Sequence, residues 1–376
     1  MRPNVLIAAA GLLALAAGAA APPTPFPQAA WRVAPFAGDG VAGDRDGPKD
    51  TARFHWPTDV AVAPDWTAYV ADFGNDRIRK VGSDGRVSTL AGGPQGFADG
   101  NGAEARFNGP NAVALGPDGA LYVADAGNAR IRRVTPEGAV TTIAGDGVRG
   151  VVDGPGPRAR FVYPTGLAFD PEGNLYVVDR WAHTVRKVDP EGEVTTLAGR
   201  TTPGFTDGPG PVARFNNPLS AAWDPEWGLV VTDSGNSAVR RVAPEGTVTT
   251  LVGGPFPGGA DGPKETARFA WNTGIESDGR GGLYIADTQN HKVRRITLGL
   301  YVTTVAGSGD EGVLDGPDRI ARFAFITGLT LDPAGNLIVA DSGANRLRRV
   351  SRGGGGRVER ALPALWAAEG PPPRLN

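Results

Sequence analysis

Apolar residues in this chain fall in short runs, each closed by an Asp or broken by Gly, Pro or a charged pair. From Thr165 to Gly199 the runs read TGLAFD, NLYVVD, TVRKV and EVTTLAG, with PEGN, RWAH and DPEGE as turn-like breaks. Runs this short, rich in β-branched residues and bounded by Gly and Pro, predict strands. The three-to-four spacing of an amphipathic helix is missing. Runs such as LYVAD are apolar throughout rather than alternating, as expected of strands covered on both faces.

The pattern then recurs. The Asp that closes the second run stands at Asp72, Asp125, Asp179, Asp233, Asp287 and Asp341, one step of 53 residues followed by four of 54. A DG pair at Asp46, Asp99, Asp153, Asp207, Asp261 and Asp315 keeps the same steps, and an ARF triplet recurs around Arg53, Arg106, Arg160, Arg214, Arg268 and Arg322. Four short strands per unit at this period make a propeller blade. The expected fold is therefore all-β: a six-bladed β-propeller with four-stranded blades of about 54 residues. Before the first unit, WRVAPFAGDG (Trp31 to Gly40) matches a unit's end, as in VTTIAGDG, while the last unit reaches LRRV and degenerates into SRGGGG. This predicts ring closure by the N-terminal strand, which carries the complete downstream loop. The rival is Arg357 to Leu362, which could fill the same place.

PTGLAFDPEGNLYVVDRWAHTVRKV and PNAVALGPDGALYVADAGNARIRRV resemble the NHL repeat, and the resemblance covers residues 31 to about 350. It implies a six-bladed β-propeller, and the long AGxG…DG…ARF connections resemble the subset with extended loops. It implies no single activity, because NHL propellers include protein- and RNA-binding platforms and a peptide-amidating lyase.

Composition adds the setting. Among 376 residues, 56 Gly and 33 Pro against few aromatics favour tight turns over long helices. Arg2, an apolar run from Val5 to Ala17 and small residues Gly18 to Ala20 predict a secretory signal peptide over 1–20. A linker over 21–30, a propeller over 31–362 and a disordered tail over 363–376 complete the expected organisation. The expected location is exported, periplasmic or extracellular, with no membrane span after cleavage, and the expected state is a monomer. The absence of Cys excludes disulfides and a lipidated Cys anchor. Net charge is -2, the arginines are spread evenly, and loss of Arg2 makes the chain more negative, so nucleic acid is excluded as a partner.

Agreement among six units reads as structure, and disagreement on a shared loop marks where a ligand could be read. Arg79, Arg132, Arg186, Arg240, Arg294 and Arg348 are invariant among the units, whereas the next position alternates between Lys and Arg. A strict Arg calls for a planar fork bonded to carboxylates or carbonyls. These six, with the ARF arginines, are expected to pair with the repeated Asp residues. The DG and PEG pairs read as turns. GDGVAG, GDGVRG and GSGDEG fit a dinucleotide-loop spacing, but DGPG or DGPK follows instead of a helix, so they read as inter-blade loops.

Departures gather on the loops between second and third strands, where Phe73, Arg180, Trp181, His183 and His291 stand out. Just past ARF the units read Trp56, Gly109, Tyr163, Asn217, Trp271 and Phe325. Such aromatics either plug the seams between blades or form a platform for a sugar, peptide or other amphipathic ligand. His183 and His291 occupy equivalent positions two units apart and His55 a different one, short of the three equivalent ligands that a catalytic zinc takes. On the innermost strand Glu276 replaces Ala61, Ala114, Ala168, Ala222 and Thr330, and Asp59 stands where others have Ala112, Gly166, Ser220, Gly274 and Gly328. With Asn111 and Asn272 near the entrance, these oxygens suit Ca²⁺ or another divalent cation. Calcium-dependent lactonase propellers use Glu, Asn and Asp in this way, a resemblance at the level of fold. Two functions follow: a binding module for a protein, peptide or carbohydrate with no required cofactor, or a metal-dependent hydrolase, lactonase or lyase with its cation at Glu276, Asp59 and Asn111. A third, a structural envelope scaffold, predicts no ligand.

Overall fold

The computed structural model describes residues 31–353. The leader and linker, the tail, and the rival closing segment Arg357 to Leu362 lie outside the described residues. Six antiparallel sheets succeed one another along the chain, and each innermost strand touches the innermost strands on both sides, the last (Ile326–Leu331) touching the first (Pro57–Val62). The result is a closed six-bladed ring around a central channel.

The third blade shows the pattern. Pro164–Phe169 lies innermost, followed by Leu175–Asp179, Thr184–Val188 and Glu193–Gly199, each antiparallel to the one before. Most second-strand residues are buried, because one face meets the preceding blade and the other the next. Between the third and fourth blades, Ala168, Tyr176 and Val178 pack against Phe215, Ala221 and Val231.

A fifth element was not anticipated from the sequence. In five blades the Gly of the DG pair and the next residue form a two-residue strand on the outer edge, as Gly154–Pro155 does against Glu193–Gly199. In the fourth blade a single bridge, Gly208 to Val248, takes its place. These six glycines have φ between 129° and 148°, a region that a side chain disfavours.

The ring closes through the N-terminal strand. Trp31–Ala37 pairs antiparallel with Arg346–Arg352, from Trp31 opposite Arg352 to Ala37 opposite Leu347, and forms the outer strand of the sixth blade.

The six strict arginines are fully buried. In each, one guanidinium nitrogen donates to the ARF arginine's backbone carbonyl at 2.8–3.2 Å. The other contacts the DG aspartate at 2.5–2.7 Å. The strand-ending Asp lies at 2.5–3.0 Å in five blades, and the ARF Phe ring sits 5.1–5.4 Å from the guanidinium carbon. In the third blade Asp179 stands off Arg186 at 4.0 Å, because its two oxygens accept the amides of Val162 and Tyr163. The ARF arginines correct the expectation. Arg53, Arg160 and Arg322 pair with Asp39, Asp146 and Asp310 of the inter-blade loops, not with the repeated Asp, and what all six supply to the repeated network is a main-chain carbonyl.

The DG aspartate also accepts the amide and hydroxyl of an outer-strand Thr in five blades, as Asp153 does from Thr196. In the closing strand the matching residue, opposite Arg348, is Pro35, which has no amide hydrogen to give.

Candidate functional site at the channel mouth

Each second strand ends at the repeated Asp and passes into one turn of 3₁₀ helix: Phe73–Asn75, Ala126–Asn128, Arg180–Ala182, Ser234–Asn236, Thr288–Asn290 and Ser342–Ala344. The innermost strands begin at that same end, since Pro57 lies opposite Asp72 and Pro164 opposite Asp179. These turns, the segments after ARF and the inter-blade loops therefore share one face around the channel mouth.

The residue after each turn is left-handed, with φ of 50–57°, and is Asp76, Ala129, His183, Ser237, His291 or Asn345. Asn, Asp and His tolerate this conformation better than most side chains. Four of the six hold the next blade: Asp76, His183, Ser237 and Asn345 accept the amides of Gly109, Asn217, Trp271 and Trp56 at 2.7, 3.0, 3.4 and 2.9 Å. His183 is thus engaged through Nδ1 as an acceptor, which places the neutral ring's proton on Nε2, and burial lowers its pKa. His291 has a buried Nδ1 with no partner among the described residues, and the Phe325 amide goes to Asp341 instead. His55 bonds Gly74 through Nδ1 at 3.1 Å. The structure does not bring the three imidazoles together.

The first residue of the turn divides the ring in two. Ser234, Thr288 and Ser342 donate their hydroxyls to the carbonyls of Asn272, Ile326 and Pro57, sealing three seams. The first three blades carry Phe73, Ala126 and Arg180 there instead. The Phe73 ring sits over Gly109, where a Cβ would come within 2.9 Å of it. Arg180 reaches across the fourth blade, its guanidinium carbon 5.8 Å from the Trp271 ring centre.

The aromatics after ARF form pairs. Tyr163 stacks on Trp181 with centroids 4.0 Å apart and planes 19° apart, and Trp56 leans on Phe325 at 5.5 Å. Trp181 remains 45 % exposed and Trp56 39 %. Arg149 lies over both rings of the first pair, 5.6 Å from Tyr163 and 5.2 Å from Trp181. Arg149 escaped the sequence reading, although the signal was there: GDGVRG has Arg149 where GDGVAG has Ala42.

Deeper in the channel the carboxylates stand apart. Asp59 is the third residue of its innermost strand and Glu276 the fifth of its own, so they lie at different levels, two residues or about 6.6 Å along a strand. Asp59 accepts the Val113 amide at 3.0 Å and fills the space beside Gly328. Burial, with a smaller contribution from the Glu276 charge, pushes its carboxyl up to about 7. Glu276 accepts the Thr330 hydroxyl at 3.5 Å and the Leu331 amide at 3.4 Å. The Asn111 carbonyl takes the Thr58 hydroxyl, and the Asn272 side chain turns into the seam to bond Ala238, a correction to its expected place at the entrance. Among the described residues no three His, Asp or Glu side chains converge as metal ligands.

A family model described as the SMP-30/gluconolactonase/LRE-like region matches residues 81–258. The chain is 30% identical over 312 residues to human NHL repeat-containing protein 2, covering 73% of this chain and 42% of that one. It spans less than half the length of the first curated relatives it matches. Among solved structures, an auxiliary nutrient binding protein from Bacteroides thetaiotaomicron superposes with a TM-score of 0.66 at 17% identity, covering 85% of this chain and 76% of that one. A protein of unknown function from the same organism reaches 0.69 at 20% identity, with the same coverage.

Proposed function

Starting from a six-bladed propeller of the NHL/SGL type, we propose that the chain is an exported binding module whose ligand, a protein, peptide or carbohydrate, docks on the channel-mouth face. The observation that carries this reading is the Tyr163–Trp181 stack, with Trp181 45 % exposed on the face where the six blades differ most. A stacked, half-open indole offers a large rigid contact surface at little entropic cost. The solved propeller named as an auxiliary nutrient binding protein agrees with a binding role, through likeness of fold.

The test is a panel of oligosaccharides and peptides titrated against the protein, followed by tryptophan fluorescence. Trp181→Ala is expected to weaken the bound ligand at least tenfold while leaving Tm close to the parent's. Equal binding by parent and variant would remove this face from the function. Export is tested by N-terminal sequencing of protein recovered outside the cytoplasm, with a start shortly after residue 20 expected.

The second reading, a metal-dependent hydrolase or lactonase, draws on the gluconolactonase-like description of the matching family. It has less support, because Glu276 and Asp59 sit at different levels of their innermost strands and no three His, Asp or Glu side chains converge among the described residues. Elemental analysis of the parent beside Glu276→Ala decides it: a stoichiometric divalent ion that disappears in the variant would put the enzyme reading first.

A further inference from the structure

The mouth holds a cation unlike the strict arginines. Each of those six faces two carboxylates, one of them loosely in the third blade. The Arg180 side chain forms no ion pair and no hydrogen bond among the described residues. It is half-buried, and its Nε is sealed from solvent without a partner. A guanidinium taken part-way out of water without an anion is destabilising. Arg180 also stands where the fourth, fifth and sixth blades place a hydroxyl that seals the seam. The third blade has given up that bond for an unpaired charge, and such exchanges of stability for a local strain gather at functional sites.

Its surroundings say what would satisfy it. Trp271 lies against the guanidinium, Tyr163 is the ionisable side chain that acts on its charge, and Arg149 adds a second cation over Tyr163 and Trp181. The nearest acid of that blade, Asp179, is fully buried and has both oxygens on the amides of Val162 and Tyr163. Neither of its oxygens is turned to Arg180.

We propose that the ligand of this face is a small organic carboxylate with a flat ring, its carboxylate seated on Arg180 and its ring against Trp181. This rests on the reading of the mouth as the binding surface and adds the ligand's charge and shape. The planar fork of Arg matches a carboxylate with two parallel hydrogen bonds. One half-buried guanidinium with a second in solvent suits a single negative charge better than a phosphate dianion. The ring is an aromatic one or the apolar face of a sugar, both of which pack on indole.

The experiment titrates benzoate and glucuronate, their neutral counterparts benzyl alcohol and glucose, and inorganic phosphate against the parent, Arg180→Gln, Arg180→Lys and Trp181→Ala. Tryptophan fluorescence and ligand-observed NMR follow binding. At least one carboxylate is expected to bind the parent at least tenfold tighter than its neutral counterpart, and Arg180→Gln to lose at least tenfold. Arg180→Lys, which keeps the charge without the fork, is expected to fall between. Arg180→Gln is also expected to melt at or above the parent's temperature without ligand, which separates lost recognition from lost folding. The stronger of glucuronate and benzoate identifies a sugar or an aromatic source. Neutral probes that bind as well as acids, unchanged by Arg180→Gln but lost with Trp181→Ala, would overturn the carboxylate while keeping the binding face. Indifference to both Arg180→Gln and Trp181→Ala would overturn both. Tighter binding of phosphate, or no binding of either carboxylate at millimolar concentration, would overturn the inference.

Discussion

At the scale of single residues, the strict arginines show how much one side chain can join. Arg132 ties Asp125 at the end of one strand, Asp99 on the outer edge, the Arg106 carbonyl and the Phe107 ring. A lysine can satisfy one or two of these, since its charge is a point and its donors do not fork. Arg132→Lys is expected to lower unfolding free energy by about 2–4 kcal/mol in urea denaturation, as befits a broken buried pair. Asp59 gives a prediction of opposite sign. Its carboxyl titrates near 7 in the folded chain, against 3.8 for the ordinary group. Between those values the native state holds a proton that the unfolded state has released. The stability it contributes is fully present below about pH 4 and is lost as pH rises through 7. Asp59→Asn, whose amide oxygen can still accept from Val113, is expected to match the parent near pH 4 and exceed it at pH 8 by up to about 4 kcal/mol.

At the scale of elements, close approach between blades sets the limits. A Cβ on Gly166 would come within 2.7 Å of the Leu219 carbonyl and the Ser220 Cα on the neighbouring innermost strand. Gly166→Ala is therefore expected to spread the seam and destabilise by about 2 kcal/mol, the usual scale of overpacking, read as a fall in Tm. The strands themselves were legible in the sequence, because apolar runs, Gly–Pro punctuation and a constant period all point the same way. The outer-edge strand at Gly47–Pro48 and its counterparts was not legible: two residues carry no periodicity, and the DG pair reads as a turn whether or not it pairs. At the site, comparing units picked out Arg180, Trp181 and His183 as departures. It could not show that His183 is occupied by the Asn217 amide while Arg180 is left unpaired. That difference lies in contacts between blades, which no single repeat encodes.

At the scale of the whole molecule, six similar blades become one body only if the ring is shut. Trp31 is buried at the last seam, edge-on to Tyr284 with centroids 6.3 Å apart, beside Val33 in the core between the fifth and sixth blades. Deleting residues through Ala37 is expected to leave the sixth blade without its outer strand. The expected outcome is a large drop in Tm and self-association by size-exclusion chromatography, since the uncovered edge is free to pair. Closure also orders events in time. The strand that leaves the ribosome early is the one whose partner, Arg346–Arg352, is made last. A chain cut short by a premature stop keeps that first strand and has nothing to receive it, so its edge stays open to proteases. The splice of first strand to last blade thus acts as a check on synthesis, and only a product made through Arg352 can pass it.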